Sequence, residues 1–342
     1  MAFKRLDNED FIVSADSVSQ TVWTNNAPTL NSFFTSSTQE TDNSGDYYLS
    51  VFNEVVGDNN AETQFDIAYG DKSGRGSNSY NSAVDISRSP SKTIYGQYRT
   101  LVLEDENSDF IFGENSQESF YAVNVSRARY KEKLLPGSFE LTLQASGSAN
   151  RLSIIDNSSV LATTTFTDAG RVYDLVSGSV VNGVNTSINQ NGYTDSSGSY
   201  GKLLPDIGVV LLNGNALDAG HTVGGIDLDT DRELDSSGLN QRKIFDFLRY
   251  SGSIRLQSEE TISSNFVFVR ARNSEFNYST NPSLITGSGE LRHDVMIDSP
   301  QSFITAVGLY NDNNDLLAVA KLSRPLLKDF TKETLVRIKL DY

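Results

Sequence analysis

The stretch DLDTDRELD, residues 227–235, sets carboxylates at alternate positions: Asp227, Asp229, Asp231, Glu233 and Asp235. Hard oxygen ligands at positions 1, 3 and 5 are how a calcium-binding loop begins. Such a loop also needs glycine at position 6 and a bidentate glutamate at position 12, and here Arg232 and Gly238 stand there. The run therefore reads as a solvated acidic linker ahead of a helix, its charges near the N-terminus where the dipole favours them. A second set, SRARYKEK (126–133), puts Arg127, Arg129, Lys131 and Lys133 on one face if the chain stays extended. That stripe would either dock an acidic neighbour or guard a strand edge against aggregation, and the residues alone leave both open.

Other chemistry is sparse. The absence of cysteine excludes disulfides, thiolate zinc sites and cysteine nucleophiles. His221, in DAGHTVGG, and His293, in ELRHDVM, are the two histidines, and neither lies near a Gly-x-Ser-x-Gly elbow. Carboxylates are plentiful, 44 in all, but chain spacing singles out no pair that would converge as in a glycosidase. The glycine-serine loop GDKSGRGSNSYNS (70–82) lacks the Gly-x4-Gly-Lys-Ser/Thr pattern of a phosphate loop. The lone Trp23, between Val22 and Thr24, reads as core or interface. No catalytic, cofactor-binding or metal residue is assigned, and the expectation is a non-enzymatic chain without a cofactor.

Composition narrows the partners. A net charge of −16 over 342 residues disfavours a nucleic-acid backbone, which calls for a basic face. Hydrophobic residues at 37% and aromatics at 10% suffice for real cores. No stretch approaches the roughly 18–20 apolar residues of a membrane helix, and MAFKRLDNED has no apolar run of a cleaved signal. The expectation is a protein made in the cytoplasm, with neither nucleic acid nor membrane as its partner. Asn-X-Ser/Thr matches such as Asn124-Val125-Ser126 are then chance.

The elements are mostly strands. DYYLSVFNEVV (46–56), TIYGQYRTLVLE (93–104), SFYAVNVSRARY (119–130) and GSFELTLQASG (137–147) all read as β, the last alternating Phe139, Leu141 and Leu143 against polar neighbours. From 146 to 235 the runs shorten and Asn-Gly pairs appear at 182–183, 191–192 and 213–214, each a candidate tight turn. LLPDIGVVLLNGNA (203–216) contains the most apolar short run. SSGLNQRKIFDFLRYSG (236–252) reads as a helix, capped by Ser237, with Ile244, Phe247 and Leu248 on one face and Gly252 at its end. RLQSEETISSNFVFVRARN (255–273) and TLVRIKLDY (334–342) follow as strand signals.

Near the C-terminus FITAVGLYNDNNDLLAVAKLSRP (303–325) reads as a hairpin around Asn311–Asp315, residues that tolerate φ > 0. Phe303, Thr305, Val307 and Leu309 would face one way, with Ile304, Ala306, Gly308 and Tyr310 opposite. The fold expected is mainly β, two antiparallel sandwich-like β domains with one or two short helices. Residues 1–145 form an N-terminal β domain and 146–235 a variable β subdomain that can be read as an insertion. Residues 236–342 supply a short helix, the hairpin and a strand completing the main domain.

FVFVRARNSEFNYSTNPS (266–283) and ITAVGLYNDNNDLLAVAKLSRPLLKDFTKETLVRIKLDY (304–342) resemble a family of virion structural proteins of marine T-even-like myoviruses, the cyanophage type. AETQFDIAYGDKSGRGS (61–77), YGQYRTLVL (95–103) and VNVSRARYKEKLLPGSFEL (123–141) resemble the N-terminal portion of the same family. Val307-Gly308-Leu309-Tyr310 followed by Leu317-Ala318-Val319-Ala320 is similar to a hairpin of baseplate-attaching domains in phage tail fibres. The resemblance carries no catalytic motif. It implies a structural subunit of a contractile-tailed virion, present in multiple copies and contacting other virion proteins. The tail or baseplate is favoured over the neck, and the head comes last. A receptor- or carbohydrate-binding role would need exposed aromatics, with Tyr80, Tyr95 and Tyr98 the nearest candidates. An enzyme cleaving surface polysaccharide would need two opposed carboxylates.

Overall fold

The computed structural model describes residues 3–41, 47–77, 89–113, 115–181, 184–186, 199–233 and 239–341. In chain order the strands that matter here begin with β1 (Phe11–Thr21), β2 (Leu49–Phe52), β3 (Thr63–Asp71) and β4 (Ser119–Val125). They continue with β5 (Glu140–Gln144), β6 (Arg151–Asp156), β7 (Gly170–Ser177), β8 (Gly201–Leu204) and β9 (Val209–Asn213). The last are β10 (Gln257–Ala271), β11 (Gln301–Tyr310), β12 (Leu316–Asp329) and β13 (Thr334–Asp341). Two helices exceed one turn or so, α1 (Pro90–Leu103) and α2 (Asn240–Ser251); three five-residue α-helices and three 3-10 turns complete the described set. The chain is mainly β, as expected, and forms two compact units: Val18–Glu260, and Met1–Ser17 with Thr261–Tyr342.

The 18–260 unit is built on one large sheet in the order β5-β6-β7-β8-β9-β4-β3-β2, extended beyond β5 by Ser253–Arg255 and Thr29–Leu30. The neighbours are antiparallel, for example Val210 opposite Val123 and Ala68 opposite Ala122. β6, β7, β8 and β9 lie inside this sheet, between β5 and β4, while Ser179–Val181 and Val184–Thr186 pair in a two-stranded sheet of their own. Successive side chains leave opposite faces of a strand. In β4, Tyr121, Val123 and Val125 join one core with α2, while Phe120 and Ala122 join another with α1. β9 divides its buried residues the same way. Burial on both faces is the reason this segment reads as a continuous apolar run.

Two local readings change. Residues 93–104, read as a strand, belong to α1 up to Leu103, with Glu104 as its left-handed C-cap. Ser89 caps it by accepting from the Lys92 N–H, Pro90 occupies the first turn, and Ile94, Tyr95, Tyr98 and Val102 line its buried side. β-branched and tyrosine content suggested a strand, but the 4-residue spacing and a Ser-Pro start suit a helix. Asn213-Gly214, read as a tight turn, starts the short helix Gly214–Asp218, with the Asn213 side chain accepting from Ala216 N–H. The Asn-Gly pairs at 182–183 and 191–192, and the Ser237 cap, lie outside the described residues.

The helix read over 236–252 is present as α2, burying Ile244, Phe245 and Leu248, while Phe247 packs at the margin. Gly252 follows it because a Cβ there would sit 2.7 Å from the Thr142 carbonyl oxygen and 2.6 Å from Leu248 Cα.

In the unit of 1–17 and 261–342, β10 pairs with β13 in a long antiparallel register from Ser264–Asp341 to Ala271–Thr334, and β1 lies at the other side of β10. β11 and β12 form a separate two-stranded hairpin. Among the described residues the buried apolar side chains of this unit are Val267, Ala271, Val336 and Ile338. Fully burying a side chain of this size contributes about 1.5–3 kcal/mol, so this core is thin beside the ordering entropy of the unit.

Candidate assembly surface and pocket

The acidic run turns out to be held by its own arginine. Arg232 Nε donates to Asp71 Oδ2 at 2.8 Å and Nη2 to Glu118 Oε2 at 2.9 Å. Asp71 is fully buried and also accepts from the Ser73 and Arg75 backbone N–H groups. Asp231 Oδ1 accepts from Glu233 N–H, and Asn240 Oδ1 from Asp231 N–H. Asp218 Oδ1 takes both the N–H and the hydroxyl of Thr230, at 2.8 and 2.7 Å. Among the described residues no group of three or more acidic or histidine side chains is gathered as metal ligands would be, and Asp235 lies outside them.

The basic stripe does not form. Residues 126–132 turn instead of staying extended, and each cation finds a different partner. Arg127 lies over the Tyr130 ring at 4.7 Å, Arg129 meets Glu62 at 2.7 Å, Lys131 Glu260 at 3.0 Å and Lys133 Glu259 at 3.8 Å. These contacts lie within the 18–260 unit. Alternate spacing predicts a common face only in a strand, and the turn removes that premise.

Both histidines are exposed. Trp23 is buried, edge-on to Phe65 at 6.1 Å. Tyr95 and Tyr98 are core residues of α1, and Tyr80 lies outside the described residues. No helix among the described residues is long and apolar enough to cross a membrane.

The C-terminal hairpin is where apolar surface collects. Asn311 organises its turn: Oδ1 accepts from the N–H groups of Asn313 and Asp315 at 3.0 and 2.7 Å, and Asn314 takes φ +63°. Val307, Leu309, Ala320, Leu322 and Leu326 half-bury against Val267, Val336 and Ile338. Phe303 does not join Val307 and Leu309 as the alternation suggests; it is 63% exposed. The register jumps from Ile304–Leu326 to Ala306–Lys321, and at this irregularity the alternation of β11 slips, with both Thr305 and Ala306 exposed. Leu317 and Val319 are 69% and 60% exposed, and Leu316, Phe330 and Leu335 are also on the surface. β11 and β12 pair only with each other among the described strands, so each keeps one open edge. In the same unit Phe11, Ile12 and Val13 of β1 are exposed.

A second feature lies in the 18–260 unit, a pocket of about 480 Å³ beside α1. Ile94, Tyr98 and Leu101, on one side of that helix, make a wall; Ile207 and Val209 make another. Asp66 and Asn124, opposite each other in β3 and β4, form the polar floor. Asn124 Nδ2 donates to the Tyr98 hydroxyl. Asp66 Oδ1 is enclosed and accepts no hydrogen bond. Burial pushes the Asp66 carboxyl up, and the Ser50 hydroxyl on the neighbouring strand offsets part of that. The sequence signal for this floor is faint: Asp66 is a lone carboxylate in the otherwise apolar alternation of QFDIAYG.

No family model, no curated protein and no solved structure matches the chain.

Proposed function

We propose that the chain is a non-enzymatic structural subunit of a contractile-tailed bacteriophage virion, placed in the tail or baseplate. It assembles with other virion proteins, in multiple copies, through the strands of its 261–342 region. The observation that carries the assembly reading is the hairpin: a long apolar β11–β12 pair with open edges and exposed Phe303, Leu317 and Val319, over a core of few buried residues. Open edges offer backbone hydrogen bonds to an added strand, and alternate side chains set its register. The virion context rests on the phrases of 61–77, 123–141, 266–283 and 304–342 that resemble the myovirus family.

Locating the chain in an electron cryo-microscopy map of the intact virion tests this. Density at the tail end, with 301–341 against a neighbouring subunit, is the expected result. Density at the neck or capsid would move the placement and keep the structural role. Absence of the chain from the particle would overturn both.

A further inference from the structure

The pocket beside α1 is a separate matter from the hairpin, because its lining belongs to the 18–260 unit and to other strands. Its floor is a carboxylate placed where a carboxylate is costly. Asp66 shares its sheet face with Ala68, Ala122 and Val209, and its enclosed Oδ1 has no hydrogen-bond partner. Among the described residues no lysine or arginine lines the pocket, so no cation of that lining balances the charge. An ionised group in such surroundings gains most from a partner that brings positive charge and N–H donors together.

The walls select among such partners. Ile94, Leu101, Ile207 and Val209 present aliphatic surface, suited to a methylene chain. A sugar ring could draw on the exposed Tyr48 ring and the Gln97 amide of the lining, but it would also need donors converging at the floor. Here the Asn124 amide is already engaged with the Tyr98 hydroxyl, and Tyr98 itself is largely buried. The volume, about 480 Å³, falls within the roughly 300–1,000 Å³ of ligand pockets and exceeds what an ammonium and its short stem fill. The mouth therefore has room for the body that carries the stem. The chain's net charge of −16 favours a cationic visitor over long range.

We propose that this pocket binds a primary alkylammonium group, with Asp66 receiving the ammonium and Ile94, Leu101, Ile207 and Val209 covering the alkyl stem. A free aliphatic amine and a lysine side chain of another polypeptide share this chemistry.

The test is a titration of the full-length protein followed by amide nuclear magnetic resonance. The probes are n-butylamine, the neutral isostere 1-butanol, methyl β-glucoside, and Nα-acetyl-lysine N-methylamide. Saturable shifts at Asp66, Ala68 and the Asn124 side-chain amide are expected with n-butylamine. Affinity should fall roughly tenfold in Asp66→Asn, the usual scale of a hydrogen bond to a charged group. Because Oδ1 of Asp66 makes no hydrogen bond, the asparagine variant should fold, and unchanged circular dichroism and melting temperature check that it does. Leu101→Ala, at a partly exposed wall position, should weaken n-butylamine binding without touching the charge. Equal binding of the acetyl-lysine amide assigns the source to a polypeptide, and its exclusion assigns it to a free amine. Binding of 1-butanol or the glucoside as tight as that of n-butylamine would overturn the proposal, as would full affinity in a folded Asp66→Asn protein. None of these outcomes bears on whether the hairpin is an assembly joint.

Discussion

Arg232 joins two acidic side chains that are far apart in the sequence, Asp71 and Glu118, and one of them has no access to water. Removing one partner of a buried pair leaves the other charge uncompensated, which is the costly way to break it. Arg232→Ala should lower unfolding free energy by about 3 kcal/mol, read from the urea midpoint at unchanged slope. Arg232→Lys should recover only part of the loss, because a point charge cannot bond both carboxylates through a planar fork. A related pair sets a pH dependence. Burial alone would raise the Asp206 carboxyl, but hydrogen bonds from the Arg171 side chain and backbone and its charge outweigh burial and leave the group below its ordinary value. A carboxyl lowered in the folded state adds stability that is complete above its unfolded pKa, about 3.9, and is lost as pH falls through the lower folded value. Asp206→Asn should thus cost about 1 kcal/mol near neutral pH after solvent screening, and nothing measurable once the wild-type carboxyl is protonated. Melting temperatures of both proteins from pH 2 to 7 check this; a gap that widens toward acid contradicts it.

At the scale of elements, the stabilising features of α1 and the hairpin lie in different places. α1 depends on its start: Ser89 accepts from Lys92 N–H and the Ser91 hydroxyl bonds the Arg75 carbonyl. Ser89→Ala should destabilise by about 1 kcal/mol, the usual cost of a lost N-cap, measured by urea unfolding. In the hairpin, Val319 faces outward, so Val319→Lys should change the stability of the isolated chain by within about 0.5 kcal/mol. In the proposed role, assembly into a virion should fail, since a charge would then enter a surface that association dries. A normal yield of particles containing the variant would remove Val319 from the joint. How far these elements can be read from residues alone follows from what fixes them. The hairpin and α2 are legible because turn chemistry and a 3.6-residue stripe are local signals. α1 is less so, because Tyr95, Tyr98 and Val102 suit either a strand or a helix; the Ser89-Pro90 start favours the helix, and burial against Phe110, Phe112 and Phe120 fixes it. The Asp66 floor is still less legible, since it needs Asn124 as cross-strand neighbour and Ile207 from another turn.

For the whole molecule the contrast lies between its two units. The 18–260 unit stacks strands buried on both faces, and its inner positions such as Leu211 and Leu212 have no access to water. The unit of 1–17 and 261–342 rests on Val267, Ala271, Val336 and Ile338, together with a buried lysine. Lys328 Nζ donates to the Asn273 carbonyl at 3.0 Å, to Asn277 Oδ1 at 2.6 Å and to the Asp329 carbonyl at 2.9 Å, which uses its three donors and fixes that loop to β12. A polar anchor of this kind specifies an arrangement but adds little net stability over a well-packed apolar residue. Opening free energies vary across a molecule with the local density of buried apolar contact. In dilute, unassembled protein the amides of 303–322 should therefore exchange with solvent well before those of 119–125 and 209–213. In the proposed assembly the order should change: strand addition along the open edges would supply partners to those same amides, and their exchange should slow while that of β4 and β9 stays as it was. Hydrogen exchange on free and assembled protein reads this directly. Full protection of 303–322 in the isolated chain would mean that the hairpin is already satisfied within its own unit, and the joint would have to be sought in the loops.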